Sequence, residues 1–354
     1  MKAHLKSCHR LLLIPLALAS FALSPGAQAV VPPPASGGTS GGVLDFSNMS
    51  FVHPQPTITT FDAPGAGTGP GQGTLPFAIN PAGTITGHYV DAGDARHGFL
   101  RTPKGSITTF DAPGAGTGPG QGTRARAINP AGAIVGYYAD ASDVFHGYLR
   151  TPDGAITTFD VPGAGTGPGE GSFSNNINPA GAIAAVSLDA SNVYHGVLRA
   201  PDGTITTFDV PGAGTGPFQG TFNDGINQAG TIEGYYADAS DVNHGFLRAS
   251  DGTITTFDVP GAGTGPGQGT VPENINAPGA VSGQYIDAND VNHGFLRAKH
   301  GTLTTFDVLG AGTGPGQGTI PVCNNPVDAI TGYYIDASDV FHGFLRSPQH
   351  SPAQ

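Results

Sequence analysis

The dipeptide Phe-Asp recurs along this chain at a fixed interval of 49 residues. It begins at Phe61, Phe110, Phe159, Phe208, Phe257 and Phe306. The 57 glycines and 31 prolines would suggest low complexity in an aperiodic chain, but here they punctuate a structural repeat. Self-similarity at such a period is typical of solenoids and propellers, in which each repeat is one supersecondary unit.

One copy of the repeat, from Thr74 to Asp111, divides into four short strands. Asn80-Pro81-Ala82-Gly83 has Pro at the second and Gly at the fourth position, which is the signature of a type I turn. Alternating and β-branched segments separated by polar turns follow this turn. The predicted strands end at residue 79 and then cover 84–90, 97–101 and 106–110.

Four strands in each 49-residue unit predict an all-β fold, a six-bladed β-propeller spanning residues 57–347. The sixth copy stops after its third strand, and the missing Ile-Thr-Thr-Phe-Asp strand stands at the other end, at 57–62. We therefore expect the N-terminal strand to complete blade six and close the ring. An open solenoid is the alternative, but it would expose sheet edges and need capping repeats. Residues 348–354 are interpreted as a C-terminal tail.

The N-terminus resembles a secretory signal. Lys2, Lys6 and Arg10 precede an apolar stretch at 11–23, and Ser-Pro-Gly-Ala-Gln-Ala predicts cleavage after Ala29. Residues 1–29 are therefore predicted to be a signal peptide and 30–56 a linker, with the mature protein secreted or periplasmic. No apolar run reaches the length of a membrane span, so no membrane insertion is expected.

The mature chain is acidic and has a single thiol. Residues 30–354 carry 11 Lys and Arg against 26 Asp and Glu, which disfavours nucleic acid as a partner. Cys323 has no partner for an intramolecular disulfide and is expected to be a small buried side chain. We expect a monomer.

The repeat unit resembles a known family. Ile-Asn-Pro-Ala-Gly-Thr-Ile-Thr-Gly-His-Tyr at 79–89, His-Gly-Phe at 97–99 and Phe-Asp-Ala-Pro-Gly-Ala at 110–115 are similar to the repeats of the HAF family of bacterial extracellular proteins. This chain has His-Gly-Phe, His-Gly-Tyr or His-Gly-Val where the family name records His-Ala-Phe. The resemblance covers about residues 57 to 347 and implies a secreted, propeller-like protein without an established activity. The resemblance identifies no catalytic residue in this chain.

Each copy repeats one histidine and most copies a pair of aspartates. The histidines lie in different blades and cannot converge on one ion, so we interpret them as structural, each facing the strand-four Phe across the ladder. Two carboxylates three residues apart could bind calcium if carbonyls and water completed the shell, whereas Asx turns are the alternative. We expect no cofactor, with calcium as the alternative. The candidate metal ligands are Asp91, Asp94, Asp140, Asp143, Asp238, Asp241, Asp287, Asp290, Asp336 and Asp339, and Asn192 replaces one partner beside Asp189.

The exceptions to the repetition cluster in four positions that follow each Gly-Thr or Gly-Ser pair. If these quartets lead into the innermost strands, they surround one mouth of the central channel. Drift at tolerant loop positions is the alternative. Arg124 and Arg126 would share one side of a strand at the solvated rim and favour an anionic ligand, such as an acidic sugar. The candidate ligand-binding residues are Arg124, Arg126, Asn175, Asn176, Asp224 and Glu273.

These features favour a secreted, non-catalytic propeller that binds or scaffolds at the cell surface or outside the cell. Its ligand is unknown, and a glycan is the candidate. The alternatives are an extracellular lyase or glycan hydrolase that uses the channel mouth, and a calcium-stabilised structural array, because fold alone does not decide function. A catalytic site would need residues that break the repetition, and we assign none as catalytic.

Overall fold

The computed structural model describes residues 59–347, which contain 23 β-strands and no helix. The first strands of the six repeats are β1 (Gly73–Ile79), β5 (Gly122–Ile128), β9 (Gly171–Ile177), β13 (Gly220–Ile226), β17 (Gly269–Ile275) and β21 (Gly318–Asn324). The second strands are β2 (Ile85–Val90), β6 (Ile134–Ala139), β10 (Ile183–Leu188), β14 (Ile232–Ala237), β18 (Val281–Ile286) and β22 (Ile330–Ile335). The third strands are β3 (Arg96–Arg101), β7 (Phe145–Arg150), β11 (Tyr194–Arg199), β15 (Asn243–Arg248), β19 (Asn292–Arg297) and β23 (Phe341–Arg346). The fourth strands are β4 (Ile107–Phe110), β8 (Ile156–Phe159), β12 (Ile205–Phe208), β16 (Ile254–Phe257) and β20 (Leu303–Phe306).

Each repeat is an antiparallel meander, as the sequence predicts. In the first copy, β1 pairs with β2, β2 with β3, and β3 with β4. The turn after β1 has the expected form, because the Gly83 N–H donates to the Asn80 carbonyl at 2.8 Å and Gly83 has a positive φ of 80°. The Asn80 side chain ties this turn to the next blade, since its Nδ2 donates to the Asn129 carbonyl at 3.3 Å.

Successive blades stack face to face and are joined by one short parallel bridge. Arg96 at the start of β3 pairs with Gly122 at the start of β5, and the same bridge recurs at the four following junctions. An apolar cluster fills each of the four interfaces from blades one and two to blades four and five. Between blades one and two, it joins Leu100 and Phe110 to Ile134 and Tyr148.

The blades radiate from a common axis, which makes the fold a six-bladed β-propeller. The first strands of neighbouring repeats lie beside one another. In a linear stack with sheets about 10 Å apart, blades two and five would be separated by roughly 30 Å. Instead the charge of Arg126 in blade two acts on Glu273 in blade five and lowers its pKa, against the larger, raising effect of burial. The two side chains are therefore closer than a linear stack would allow. The predicted fold class is confirmed.

The strand predicted to close the ring is only partly described, and residues 59–62 are not in a strand. Among the described residues, β23 pairs with β22 and β1 with β2, and no strand pair joins blade six to blade one. Ile79 and Leu345 on the two end blades are 66% and 72% exposed, against 9% for Ile128 at the position equivalent to Ile79. Closure by the N-terminal strand stays a prediction. The predicted signal peptide, linker and tail lie outside the described residues.

One phenylalanine in each of blades one to five contacts an arginine of the next blade. In blade four, the Phe257 ring lies over the backbone of Gly245, where an added Cβ would approach the ring within 2.7 Å. The other side of the Phe257 ring meets Phe295 of blade five edge to face at 6.1 Å. The guanidinium of Arg297 lies 5.0 Å from the same ring. The Gly of His-Gly-Phe therefore seats a ring that the next blade contacts twice.

We predict that Gly245→Ala displaces the Phe257 ring and destabilises the protein by about 1–3 kcal/mol through overpacking. Gly93→Ser is the matched control, because five other repeats carry Ser or Asn at that position and Gly93 does not have a positive φ. Thermal unfolding measures both variants. Equal melting temperatures for Gly245→Ala and the parent would contradict this account of the interface.

Candidate functional site

Every first strand contains a β-bulge at the same position of the repeat. In β5, for example, Ala125 and Ala127 oppose Gly136 and Val135, which leaves Arg126 as the extra residue. The same register shift occurs in the other five first strands. We call the six extra residues the bulge ring: Phe77, Arg126, Asn175, Asp224, Glu273 and Val322.

A bulge leaves its extra residue outside the ladder and redirects its side chain. Because the six bulges lie on the innermost strands, the bulge ring surrounds the propeller axis. The ring holds one aromatic, one cationic, one amide, two acidic and one aliphatic side chain, whereas most of the repeat is nearly identical from blade to blade. The structure therefore concentrates the variable residues of the quartets at one level of the channel.

Contacts within the bulge ring run between blades. The guanidinium of Arg126 lies 5.1 Å from the Phe77 ring of blade one, and Phe77 stacks on His88 at 5.0 Å. In blade three, the Asn175 Nδ2 donates to the Asn223 carbonyl of blade four at 3.0 Å. Three of the six side chains, those of Phe77, Arg126 and Asn175, thus make polar or aromatic contacts along the lining.

Three carboxyl groups gather beside this lining, and we call Asp224, Glu233 and Glu273 the carboxyl cluster. Asp224 and Glu273 belong to the bulge ring and are half-buried, which fits side chains in a narrow, water-accessible channel. Glu233 lies on β14, next to the bulge of β13, and is 0% exposed.

Burial raises the pKa of all three carboxyl groups. Desolvation is the largest cause. Desolvation and then the charge of Asp224 raise the pKa of Glu273 to about 8. Desolvation also raises the pKa of Asp224, while Arg126 lowers it. The pKa of Glu233 lies well above its ordinary value because of desolvation and then the charges of Asp224 and Glu273. The cluster therefore retains protons in a range where exposed carboxyls are ionised.

Sequence reasoning missed Glu233. The equivalent positions hold Thr86, Val135, Ala184, Ser282 and Thr331, so an acidic residue there breaks the repetition as strongly as any member of the quartets. A second signal stands opposite Glu233 in the ladder. Gly225 occupies a position that is Ala, Asn or Cys in the other copies, and a Cβ there would meet the Glu233 Oε1 at 2.7 Å.

Arg124 does not join the channel lining, which corrects the expectation of a solvated arginine pair. Its guanidinium lies 5.4 Å from the Tyr137 ring and 5.3 Å from the Phe145 ring, and Nη2 donates to the Gly120 carbonyl at 2.6 Å. Burial lowers the pKa of Arg124 to about 10. The side chains of Arg124 and Arg126 do not share one side of the strand, because Arg126 is the extra residue of the bulge, where simple strand alternation no longer holds.

Asn176 also lies outside the bulge ring. It pairs with Ala184 in the ladder of blade three and is half-buried. The structure thus brings Arg126, Asn175, Asp224 and Glu273 of the predicted residues to one ring, and leaves Arg124 and Asn176 beside it.

The repeated histidines make intrablade contacts, but not the predicted ones. His97 lies opposite Tyr89 and stacks on it at 4.9 Å, whereas Gly98 is the residue opposite Phe110. The His97 Nδ1 lies 2.9 Å from Asp111, and Nε2 lies 3.4 Å from Asp91. The prediction that the histidine faces the strand-four Phe is therefore wrong, because the ladder register is shifted by one residue.

The loop aspartates divide into two structural roles. The first of each pair caps its own turn, as the Asx alternative predicts: Asp140 Oδ1 accepts the N–H groups of Ser142 and Val144 at 2.8 and 2.9 Å. The second has a positive φ, as at Asp143 with 62°, and accepts a hydrogen bond from the side chain of Gln121 at 3.0 Å. In the described residues, no group of three or more His, Cys, Asp or Glu side chains has an arrangement that could hold a metal ion.

Blade three exchanges the two partners of this second contact. Where other blades pair a Gln with an Asp, blade three has Glu170 and Asn192 at the same two positions. The exchange keeps one carboxylate and one amide at the contact, so two like charges never face each other there.

Cys323 is exposed, so the prediction of a buried side chain is wrong. The equivalent Ala127 is 8% exposed and packs in the interface between blades two and three. Blade six is the last blade of the described residues, and among these residues no strand pair joins it to blade one.

Comparison with known proteins gives remote structural similarity. No family model and no curated protein matches the chain. A TolB from Acinetobacter baumannii matches with a TM-score of 0.43 at 13% identity, over 66% of this chain and 53% of its own, so this chain spans about half of that relative. A putative TolB from Agrobacterium tumefaciens gives 0.44 at 16% identity over 77% and 88% of the two chains. The fucose-recognising Aleuria aurantia lectin, a six-bladed propeller, gives 0.41 at 10% identity over 76% and 89%. These similarities carry no conclusion about what this chain binds.

We predict that the protein loses stability as the pH rises from about 5 to 8. An acid whose pKa is raised on folding stabilises the native state below its ordinary pKa, 4.5 for Glu273, and this contribution disappears as pH passes the raised value of about 8. Glu233→Gln should flatten this decline, because the amide does not titrate. Melting temperatures across the range measure both, with Asp251→Asn in an exposed loop as the control. A steeper decline in Glu233→Gln than in the parent would contradict the assignment.

We also predict equal melting curves in saturating calcium and in chelator. The loop aspartates already accept backbone and glutamine hydrogen bonds, and a ligand that binds only the native state would raise the melting temperature by mass action. A calcium-dependent rise that Asp140→Asn and Asp143→Asn abolish together would establish the metal alternative instead.

Proposed function

We propose that this chain is a secreted or periplasmic, non-catalytic β-propeller that binds an extracellular ligand at the bulge ring. One observation carries the proposal: six nearly identical repeats present six different side chains at the one position that a bulge directs toward the axis. A purely structural ring would have no need for this divergence. Membership of the HAF family and export through the N-terminal signal belong to the same proposal.

The ring chemistry supports a glycan as the ligand. Sugar hydroxyls both donate and accept hydrogen bonds, which matches a lining of guanidinium, amide and partly protonated carboxyl groups. The half-buried Phe77 adds an apolar face beside Arg126. Arg124 contributes nothing to this lining, and the carboxyl cluster repels anions. The expectation of an acidic sugar is therefore replaced by that of a neutral or basic one.

The test compares binding of residues 30–354 to a glycan array with binding by a variant that carries Arg126→Asn, Asp224→Asn and Glu273→Gln. These changes remove the charges of the lining while keeping it polar, so we expect at least a tenfold loss of affinity in a variant that remains folded. Isothermal titration with the best glycan measures it.

The control for this test makes the same charge changes far from the axis. Lys104→Gln, Asp153→Asn and Asp251→Asn lie in exposed loops between third and fourth strands and should bind as the parent does. Parent-like binding by the ring variant, or no glycan bound by the parent, would contradict the proposed function.

A hydrolase or lyase at the same ring is a second candidate, and the carboxyl cluster favours it. Burial raises the pKa of Glu273 to about 8 and also raises the pKa of Asp224, and a carboxyl group that keeps its proton near neutral pH is what a general acid requires. Cleavage of any arrayed glycan by the parent, and its loss in Glu273→Gln, would assign this activity.

A further inference from the structure

A cavity of about 330 Å³ lies between blades four and five, and no residue of the bulge ring lines it. Blade four contributes Asn227 and Leu247 to its walls, and blade five contributes Ile275, Pro278 and Lys299. Ligand sites in proteins typically have volumes of about 300–1,000 Å³, so this cavity has the size for a small molecule with a single ring.

The amide of Asn227 is a buried polar group with an unused donor at this cavity. Asn227 is 6% exposed, and its Oδ1 accepts the N–H groups of Ala229 and Thr231, each at 3.0 Å. Its Nδ2 donates no hydrogen bond within the described residues. A buried donor left without an acceptor costs about 1–3 kcal/mol, so an acceptor supplied by a ligand would be favourable here.

This unused donor is peculiar to the junction between blades four and five. At the other four described junctions, the equivalent asparagine Nδ2 donates to a backbone carbonyl of the next blade at 2.8 to 3.3 Å. The cavity therefore lies where the hydrogen bond that ties neighbouring blades is missing.

Blade five departs from the repeat at two positions beside the Asn227 amide. Pro278 stands where the other repeats have Ala or Val, and Lys299 stands where they have Pro or Ser. A Cβ at Gly279 would lie 3.9 Å from the Asn227 Nδ2 and 3.7 Å from the Lys299 Cβ. The amide and the exposed lysine thus stand beside the same glycine at the cavity.

The polar groups of the cavity favour a ligand that accepts hydrogen bonds. The ammonium of Lys299 has three donors and no acceptor, and the Asn227 amide has only its N–H bonds left to offer. No Asp or Glu of the described residues lines the cavity. Asp251 is in a neighbouring turn, where its Oδ1 accepts the Thr253 N–H at 2.9 Å. Leu247 adds an apolar wall beside these donors.

We propose that this cavity binds a small monocarboxylic acid with an apolar body, whose carboxylate accepts hydrogen bonds from the Asn227 amide and the Lys299 ammonium. A carboxylate has acceptors only, and its hydrogen bonds to an ammonium are charge-assisted. The apolar body packs against Leu247 and Ile275. The inference goes beyond the proposed function, because it adds a second site that shares no residue with the bulge ring.

The experiment is isothermal titration of residues 30–354 with benzoate, benzamide and inorganic sulfate. Benzamide has the shape of benzoate without its charge, and sulfate has charge without an apolar body. We expect benzoate to bind at least tenfold more tightly than either. Equal binding of benzoate and benzamide, sulfate binding as tight as that of benzoate, or no binding of benzoate would each overturn the inference.

Two variants test whether this cavity is responsible. Lys299→Met removes the charge and keeps the stem, and Asn227→Asp keeps the turn acceptor but replaces the free donor by an acceptor. Each should lower benzoate affinity at least tenfold. If Asn227→Asp does not fold, Lys299→Met at its exposed position still provides the comparison.

Lys104→Met is the matched control, because Lys104 is exposed in the equivalent turn of blade one and does not line the cavity. It should bind benzoate as the parent does, and so should the variant with Arg126→Asn, Asp224→Asn and Glu273→Gln. Parent-like benzoate binding by Lys299→Met would contradict the site. Loss of benzoate binding in the bulge-ring variant alone would place the acid at the bulge ring and overturn the inference, whereas failure of glycan binding there would leave it standing.

Discussion

The contact between the strand-four phenylalanine and the glycine of His-Gly-Phe is the constraint on which the propeller depends. Any Cβ at that glycine would overlap the ring, as at Gly245 and Phe257. Once seated, the ring presents its other side to the next blade, where an aromatic side chain and an arginine meet it. Blade geometry and blade-to-blade packing are therefore set by the same few atoms, repeated along the chain.

Much of the fold can be predicted from the sequence because its signals are local. The Asn-Pro-Ala-Gly turn and the β-branched Ile-Thr-Thr-Phe segment specify their own conformations, and the strands agree with the structure within a residue or two. The bulge in each first strand has no such signal. It inserts one residue without a characteristic glycine at its own position, so alternation wrongly placed Arg124 and Arg126 on one side.

The candidate site was predicted in part for a related reason. Comparing the six copies with one another identified the bulge-ring positions, because departures from a repeat are visible without a structure. The role of Glu233 required the ladder register, since its counterpart Gly225 lies eight residues earlier and across the sheet. A carboxyl in one strand and a missing side chain in its neighbour form one feature in space but two unrelated changes along the chain.

In blade three, Glu170 and Asn192 replace the glutamine and aspartate of the other blades. Both partners of this contact lie within a single blade. The phenylalanine and arginine contacts do cross between blades, but they join the same residue types at each junction where both occur. A gain or loss of one whole 49-residue unit therefore preserves both kinds of contact. Such an event would change the number of blades and the order of side chains around the axis, so the scaffold can be copied freely while the channel lining diverges.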